Sequence, residues 1–310
     1  MTMAFDAGAT GVYPIAPTPF LEDGSVDFHS LDRLIDFYQA SGASGVTILG
    51  ILGEAAKLAS EESRAITRRV IARTDIPVVV GVSAPGFAGM RLLAREAMDA
   101  GAAGVMMGPA QHLRTDEQIL AWFANAVEAI GETTPWVLQD YPLALTCQLS
   151  VPIIAAIMEA HPSCVMLKAE DWPGLEKISA LRRLQAVGTL RPFSILTANG
   201  GMFLDLEYWR GTNGSMTGYA FPDMLVDLYR LQAAGERDAA HDLFDAHLPL
   251  IRYEQQPGIG LAVRKHVLMR RGLIKSDALR RPGSRLSPAA IDEVGYLLVR
   301  LARKDSRAKP

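Results

Sequence analysis

Eight short runs rich in apolar and β-branched residues recur between Val12 and Thr217, and a helical pattern fills each interval. The runs are Val12–Ile15, Gly45–Leu49, Val78–Val82, Gly104–Met107, Trp136–Gln139, Cys164–Lys168, Phe193–Thr197 and Gly214–Thr217. Their spacing of roughly 25–35 residues is the length of a strand, a helix and two connections. In the first interval Leu31, Leu34, Ile35 and Tyr38 fall at helical spacing, with Asp27 where an N-cap belongs. Ser60-Glu61-Glu62 and Thr115-Asp116-Glu117 open two further helices with acidic first turns, which suit the helix dipole. Near-continuous apolar strands alternating with helices predict a parallel sheet covered on both faces. Eight such units over about 220 residues have the size of a (β/α)8 TIM barrel. The rival, a doubly wound sheet, usually carries a Gly-rich loop after its first strand; Tyr13-Pro14-Ile15-Ala16-Pro17-Thr18-Pro19 is not one. The expectation is therefore an α/β barrel over 1–235. Ala239–Leu250, Gly260–Arg271 and Pro288–Arg303 are helical patterns without strands. They predict a helical C-terminal extension over 236–310, packed on the barrel as part of a single structural domain.

Of 310 residues, 49% are hydrophobic and 21% charged, an ordinary globular balance. A net charge of −3 offers no footprint for nucleic acid or an anionic membrane. The basic tail, Arg300 to Lys309, reads as a solvated terminus. Two cysteines, Cys147 and Cys164, have neither disulfide-framework nor metal-ligand spacing, so no metal is expected and a reducing, cytoplasmic setting is. Met1 to Gly11 lacks the basic-then-apolar layout of a signal peptide, and no stretch reaches the roughly twenty apolar residues of a membrane helix.

One residue in the sixth run invites chemistry. Val165-Met166-Leu167 is an apolar strand between Pro162 and Pro173-Gly174, and it ends in Lys168, followed by Ala169-Glu170. A lysine at the tip of a buried strand is costly unless paired, solvated or used. Desolvation favours the neutral amine, which attacks a carbonyl to form a Schiff base; the alternative is a lysine that snorkels into water. In a barrel, reactive residues gather where the strands end. Those places hold Thr18, Gly50-Ile51-Leu52-Gly53-Glu54, Ser83, Gly108-Pro109 and Gln139-Asp140-Tyr141 in the first half. The second half adds Lys168 with Glu170, Thr197-Ala198-Asn199-Gly200-Gly201 and Thr217-Gly218-Tyr219. Lys168 is the only lysine among them.

Pro17-Thr18-Pro19-Phe20, Gly50-x-x-Gly53-Glu54, the strand ending in Lys168 and Asn213-Gly214-Ser215-Met216 occur in this order. Together they resemble the dihydrodipicolinate synthase / N-acetylneuraminate lyase family of class I aldolases, from about Gly11 to Arg303. The resemblance implies that Lys168 is the Schiff-base lysine, that no metal or organic cofactor is needed, and that the substrate is a small 2-oxo acid. It also implies a homo-oligomer, dimer or tetramer. The glycine-flanked turn Gly50 to Glu54, following a strand and preceding a helix, presents backbone N–H groups suited to the substrate carboxylate, unless it is only a tight connection. Glu54 reads as a structural carboxylate.

Three departures from that pattern bear on function. The usual Gly-Thr-Thr-Gly-Glu is Gly50-Ile51-Leu52-Gly53-Glu54 here, without either hydroxyl. Pro109-Ala110-Gln111-His112 replaces the loop that carries a tyrosine, and His112 reads as a surface residue. The usual Tyr-Asn-x-Pro is Gln139-Asp140-Tyr141-Pro142, so Gln139 stands where the catalytic tyrosine does, and the aldehyde-binding arginine beyond Pro142 has no counterpart. Strand parity puts Tyr141 on the face of Gln139, and Glu170 on that of Lys168. Tyr141, Asp140 and Glu170 are thus competing proton carriers, each with a plain loop-bonding alternative. Gln139, Thr197 and Met216 join Gly50, Ile51 and Leu52 as candidate binding residues, and Asn199 and Thr217 as candidate hydroxyl partners. The pattern resembles the sugar-acid branch, which includes 2-keto-3-deoxy-arabonate dehydratase. The leading expectation is a Schiff-base lyase acting on pyruvate or a 2-oxo-3-deoxy sugar acid by aldol chemistry or dehydration. The alternatives are a true 4-hydroxy-tetrahydrodipicolinate synthase, condensing pyruvate with aspartate semialdehyde, and a silent barrel that binds 2-oxo acids without turnover.

Overall fold

The computed structural model describes residues 5–172 and 174–308. Pro173, which flanks the sixth run, and the outermost residues of both termini, Met1–Ala4 and Lys309–Pro310, lie outside that range. Strands and helices alternate as β1 (Gly11–Val12), α1 (Phe28–Ala40), β2 (Val46–Ile48), α2 (Ser60–Arg73), β3 (Val78–Gly81), α3 (Phe87–Asp99), β4 (Gly104–Met107) and α4 (Asp116–Ile130). The order continues with β5 (Trp136–Asp140), α5 (Pro142–Leu145), α6 (Val151–Ala160), β6 (Cys164–Ala169), α7 (Leu175–Ala186), β7 (Ser194–Thr197), α8 (Leu204–Trp209), β8 (Gly214–Ser215) and α9 (Pro222–Ala233). Three helices follow: α10 (Arg237–Glu254), α11 (Gly260–Arg270) and α12 (Pro288–Leu301).

The eight strands are parallel, in the order β1-β8-β7-β6-β5-β4-β3-β2. The two ends of that order meet: Ile15 bridges Thr47, and Thr47 N–H donates to Pro14 O at 2.9 Å. The sheet is thus a closed (β/α)8 barrel. β1 is shorter than the run Val12–Ile15 because Pro14 has no N–H to give to a ladder. Helix starts follow their caps. The Asp27 carboxylate accepts from Ser30 N–H at 3.0 Å, Glu62 accepts from Ala59 N–H at 2.9 Å, and Thr115 caps α4.

Side chains alternate between two cores, as a strand period of two requires. Tyr13, Ile15, Val79, Met106, Val137, Met166, Leu196 and Met216 fill the barrel interior. Val46, Ile48, Val80, Val105, Leu138, Leu167 and Ile195 face outward into the larger core beneath the helices. A truncation inside such a core, Met166→Ala for instance, costs about 2–5 kcal/mol. The interior is packed solid up to Met166, so the next inward residue of β6, Lys168, is the first to meet open space.

Candidate active site

At the carboxyl ends of the strands a cavity of about 720 Å3 opens above the apolar floor made by Ile15 and Met216. Parity decides which residues enter it. Along β5, Val137 and Gln139 point inward while Trp136 and Leu138 point out; along β6, Met166 and Lys168 point inward while Leu167 and Ala169 point out. Gln139 is the register partner of Lys168, and the ladder runs one bond further, from Glu170 N–H to Asp140 O at 3.0 Å. That bond carries Glu170 back over the same face. Its Oε1 lies 2.7 Å from Lys168 Nζ and accepts from Gln139 Nε2 at 2.7 Å. All three side chains are buried, Lys168 at 4% exposure. A buried lysine beside a carboxylate has an acceptor for its proton at hydrogen-bond distance, which is what a nucleophilic amine requires.

Tyr141 also lines the cavity, half-buried just beyond β5. Burial pushes its phenol above the usual tyrosine range, the charge of Glu170 adds to this, and Arg264 opposes it. The phenol therefore carries its proton at neutral pH.

Two of the sequence-based candidates lie elsewhere. Asp140 follows Gln139 on β5, so its side chain leaves the barrel; it is fully buried and lies 2.7 Å from Lys177 Nζ in α7. Burial raises its carboxyl to about 6 even though Lys177 lowers it. Thr197 has the outward parity of Ile195 on β7, and its buried hydroxyl has no hydrogen-bond partner among the described residues. Neither lines the cavity, and parity is the reason in both cases. His112 is exposed and outside the lining.

Gly50, Ile51 and Leu52 form one wall. Residues Ile51–Gly53 make a single 3-10 turn whose own hydrogen bonds start at Gly53 N–H, which donates to Gly50 O at 3.0 Å. The N–H groups of Ile51 and Leu52 precede them and stay open to an anion. The turn is held from both sides. A Cβ on Gly81 would stand 2.3 Å from Leu49 O, so only glycine lets β3 approach this closely. Glu54, in left-handed conformation at φ 55°, receives Lys265 Nζ at 2.6 Å, Lys57 Nζ at 2.8 Å and Arg280 N–H at 3.1 Å. Glu54 is thus a structural anchor between the turn and the C-terminal helices.

Those helices supply what the sequence did not suggest. Arg252, Glu254 and Arg264 line the cavity together with the connection Gln255–Gly258. Glu254 and Arg264 are buried and paired, Nε to Oε2, at 2.9 Å. A signal was present: Arg264-Lys265-His266 sit inside a helix buried on every side from Ala262 to Leu268. Two successive cations, Arg264 and Lys265, without a polar face need partners inside the protein. Among the described residues no group of three or more His, Cys, Asp or Glu is placed to hold a metal ion, and no helix is long and apolar enough to cross a membrane.

Known proteins place this architecture. A dihydrodipicolinate synthase from Rhodopseudomonas palustris has the same fold at a TM-score of 0.95 and 59% identity, over 96% of this chain and 100% of that one. L-2-keto-3-deoxyarabonate dehydratase from Azospirillum brasilense is 28% identical over 294 residues, 93% of each chain. A 4-hydroxy-tetrahydrodipicolinate synthase from Methanothrix thermoacetophila is 27% identical over 244 residues, 78% of this chain and 80% of that one. The dihydrodipicolinate synthetase family matches residues 9–300. With that match spanning nearly all of it, the chain belongs to the dihydrodipicolinate synthetase family and is a lyase of the class I aldolase type.

Proposed function

We propose that the protein forms a Schiff base between Lys168 and a 2-oxo acid, and that it dehydrates or cleaves a 2-oxo-3-deoxy sugar acid. The observation that carries this reading is the buried Lys168 amine 2.7 Å from Glu170 Oε1 at the cavity floor. Glu170 takes the ammonium proton, and the freed amine adds to the C2 carbonyl. The resulting hydroxyl takes that proton back from Glu170 and leaves as water, giving an iminium ion and restoring the Glu170 carboxylate. The iminium withdraws electrons from C3, whose proton passes to Glu170, leaving an enamine. In a dehydration the enamine electrons then expel the C4 hydroxyl, which Tyr141 protonates as it leaves. In a cleavage the iminium keeps its C3 proton instead: the C4 hydroxyl proton goes to the base, the C3–C4 electrons flow into the iminium, and an aldehyde and the enamine result. The lysine is the electron sink, so the reaction calls for no metal or organic cofactor. Open N–H groups at Ile51 and Leu52 suit the substrate carboxylate. Asn199 and Thr217 line the same cavity, each with a buried, unpartnered polar atom, Nδ2 and Oγ1, which suit substrate hydroxyls.

The sugar-acid reading is preferred to the synthase reading because Gln139, which cannot transfer a proton, occupies the inward position beside Lys168. The dehydratase relative from Azospirillum brasilense supports the same direction. The buried free thiols Cys147 and Cys164 fit a reducing cytoplasm, and a homo-oligomer is part of the proposal.

Borohydride reduction in the presence of pyruvate, followed by intact mass and peptide mapping, tests the core of it. An adduct on Lys168 that disappears in Lys168→Ala is the expected result. Turnover of a 2-keto-3-deoxy acid, against pyruvate with aspartate semialdehyde, then separates the sugar-acid reading from the synthase. A protein that forms the adduct and turns over neither is the silent barrel.

A further inference from the structure

We infer that Glu254 and Arg264 form a subsite for the uncharged, hydroxylated tail of the substrate, and that the pair discriminates against a tail ending in carboxylate. This rests on Lys168 holding the 2-oxo end.

The Arg264 guanidinium has five N–H donors. Its Nε donates to Glu254 Oε2 at 2.9 Å, while its Nη1 is buried with no hydrogen-bond partner among the described residues. Arg264 is 3% exposed and lines the cavity. An orphaned buried donor of this kind calls for an acceptor. The loop after β8 makes room for it: a Cβ on Gly218 would stand 2.7 Å from Arg264 Nη1 and 2.6 Å from Leu52 Cδ1. Arg264, Tyr141, Glu170 and Lys168 all line one cavity. Arg264 therefore belongs to the same chamber as the Lys168 centre, although it comes from a helix outside the strand–helix repeats.

Room and charge define the ligand. A cavity of about 720 Å3 leaves most of its space unfilled by a three-carbon acid. Asn199 Nδ2 and Thr217 Oγ1 are two more unpartnered polar atoms in that wall, so the remaining space is set up for several hydroxyls. Glu254 already neutralises Arg264, so the pair offers hydrogen-bond donors without net positive charge. A carboxylate tail would gain little from Arg264 and would face the Glu254 carboxylate in a poorly screened interior. Arg252, the other arginine of the lining, is exposed, and its attraction is weakened by water and salt.

Borohydride trapping over a range of ligand concentrations provides the test, with three probes: pyruvate, a 2-keto-3-deoxypentonate and 2-oxoglutarate. The last two have equal chain length and differ in a neutral or a carboxylate tail. The wild-type protein is expected to favour the pentonate over 2-oxoglutarate by at least about 10-fold. In Arg264→Met the pentonate-to-pyruvate preference should fall by about 10- to 100-fold, as loss of a hydrogen bond to a charged donor does. Glu254→Gln uncovers the arginine charge and should shift the preference toward 2-oxoglutarate. Because Arg264→Met leaves Glu254 buried alone, the double variant Glu254→Gln/Arg264→Met is run beside it, with folding checked by circular dichroism. The inference is overturned if wild type prefers 2-oxoglutarate, if the double variant keeps the wild-type pentonate preference, or if pyruvate and pentonate trapping fall together. Absence of any adduct in wild type overturns the Lys168 reading itself, a distinguishable failure that removes the subsite with it.

Discussion

Gln139 and Lys168 are register partners on adjacent parallel strands, and both converge on one oxygen, Glu170 Oε1, at 2.7 Å each. The glutamine amide can only donate here, so it orients the carboxylate without competing for the lysine proton. Where the family pattern has a tyrosine, this chain has an amide that donates to the Glu170 carboxylate.

Glu170→Gln should therefore slow turnover strongly. The substituted amide cannot take the ammonium proton or the C3 proton, and general-base catalysis is worth about 10²–10⁴-fold. A fall in kcat of at least about 100-fold, with unchanged circular dichroism, is expected. A variant within threefold of wild type would assign Glu170 to loop bonding alone.

Tyr141→Phe keeps the ring and removes the phenol. If Tyr141 protonates the leaving hydroxyl, kcat falls by about 10²-fold while KM changes little. The wild-type alkaline limb should lie above the ordinary tyrosine range, because burial and Glu170 raise this phenol, and the variant should lose that limb. A pH–rate profile identical in the two proteins would remove Tyr141 from the chemistry.

The barrel and the Lys168 face were legible because both depend on period-two alternation, which a sequence displays directly. Gln139, Tyr141, Lys168 and Glu170 follow from counting along β5 and β6. Asp140 and Thr197 look equally suitable by residue type, but each is one step out of phase: Asp140 meets Lys177 outside the barrel, and Thr197 shares the outward parity of Ile195. Arg264 was not legible as a cavity residue. Its approach to Gly218 joins positions distant in sequence through helix packing, and no local pattern encodes that. Only the adjacent cations Arg264 and Lys265, in a helix buried from Ala262 to Leu268, hinted at a partner.

Asp140 is expected to matter for stability. Lys177→Met strands its carboxylate in the outer core, a loss of about 3–5 kcal/mol for a broken buried pair. The loss should be greatest at pH 8 and smaller at pH 5, where Asp140, already raised to about 6, takes a proton. Urea unfolding at the two pH values measures this; equal losses would mean that Lys177 acts through packing.

Lys265→Met tests the turn's anchor. Glu54 would keep Lys57 and the Arg280 N–H but lose its fully buried cation at 2.6 Å. We expect about 3 kcal/mol of destabilisation. The Gly50–Leu52 turn should loosen, so KM for the 2-oxo acid rises more than kcat falls. A stable variant with wild-type KM would show that the turn holds its shape without the C-terminal helices.

Glu207 should set part of the pH dependence of folding. Its carboxyl in α8 is buried at 4% exposure, and Oε2 has no partner among the described residues. Burial raises it to about 8, and the charge of Asp205 adds to this. The sign follows from proton counts. Between the unfolded value of 4.5 and about 8 the folded protein keeps a proton that the unfolded chain has released. The stability from this group is complete below pH 4.5 and is lost as the pH rises through 8. Each pH unit separating the two values is worth about 1.4 kcal/mol, so the wild type should lose on the order of a few kcal/mol across that window. Glu207→Gln mimics the protonated form at every pH. It should flatten the decline in Tm between pH 5 and 9 and leave the variant more stable than wild type at pH 9. Parallel Tm profiles for the two proteins would mean that Glu207 is ionised in the folded state and finds its compensation elsewhere.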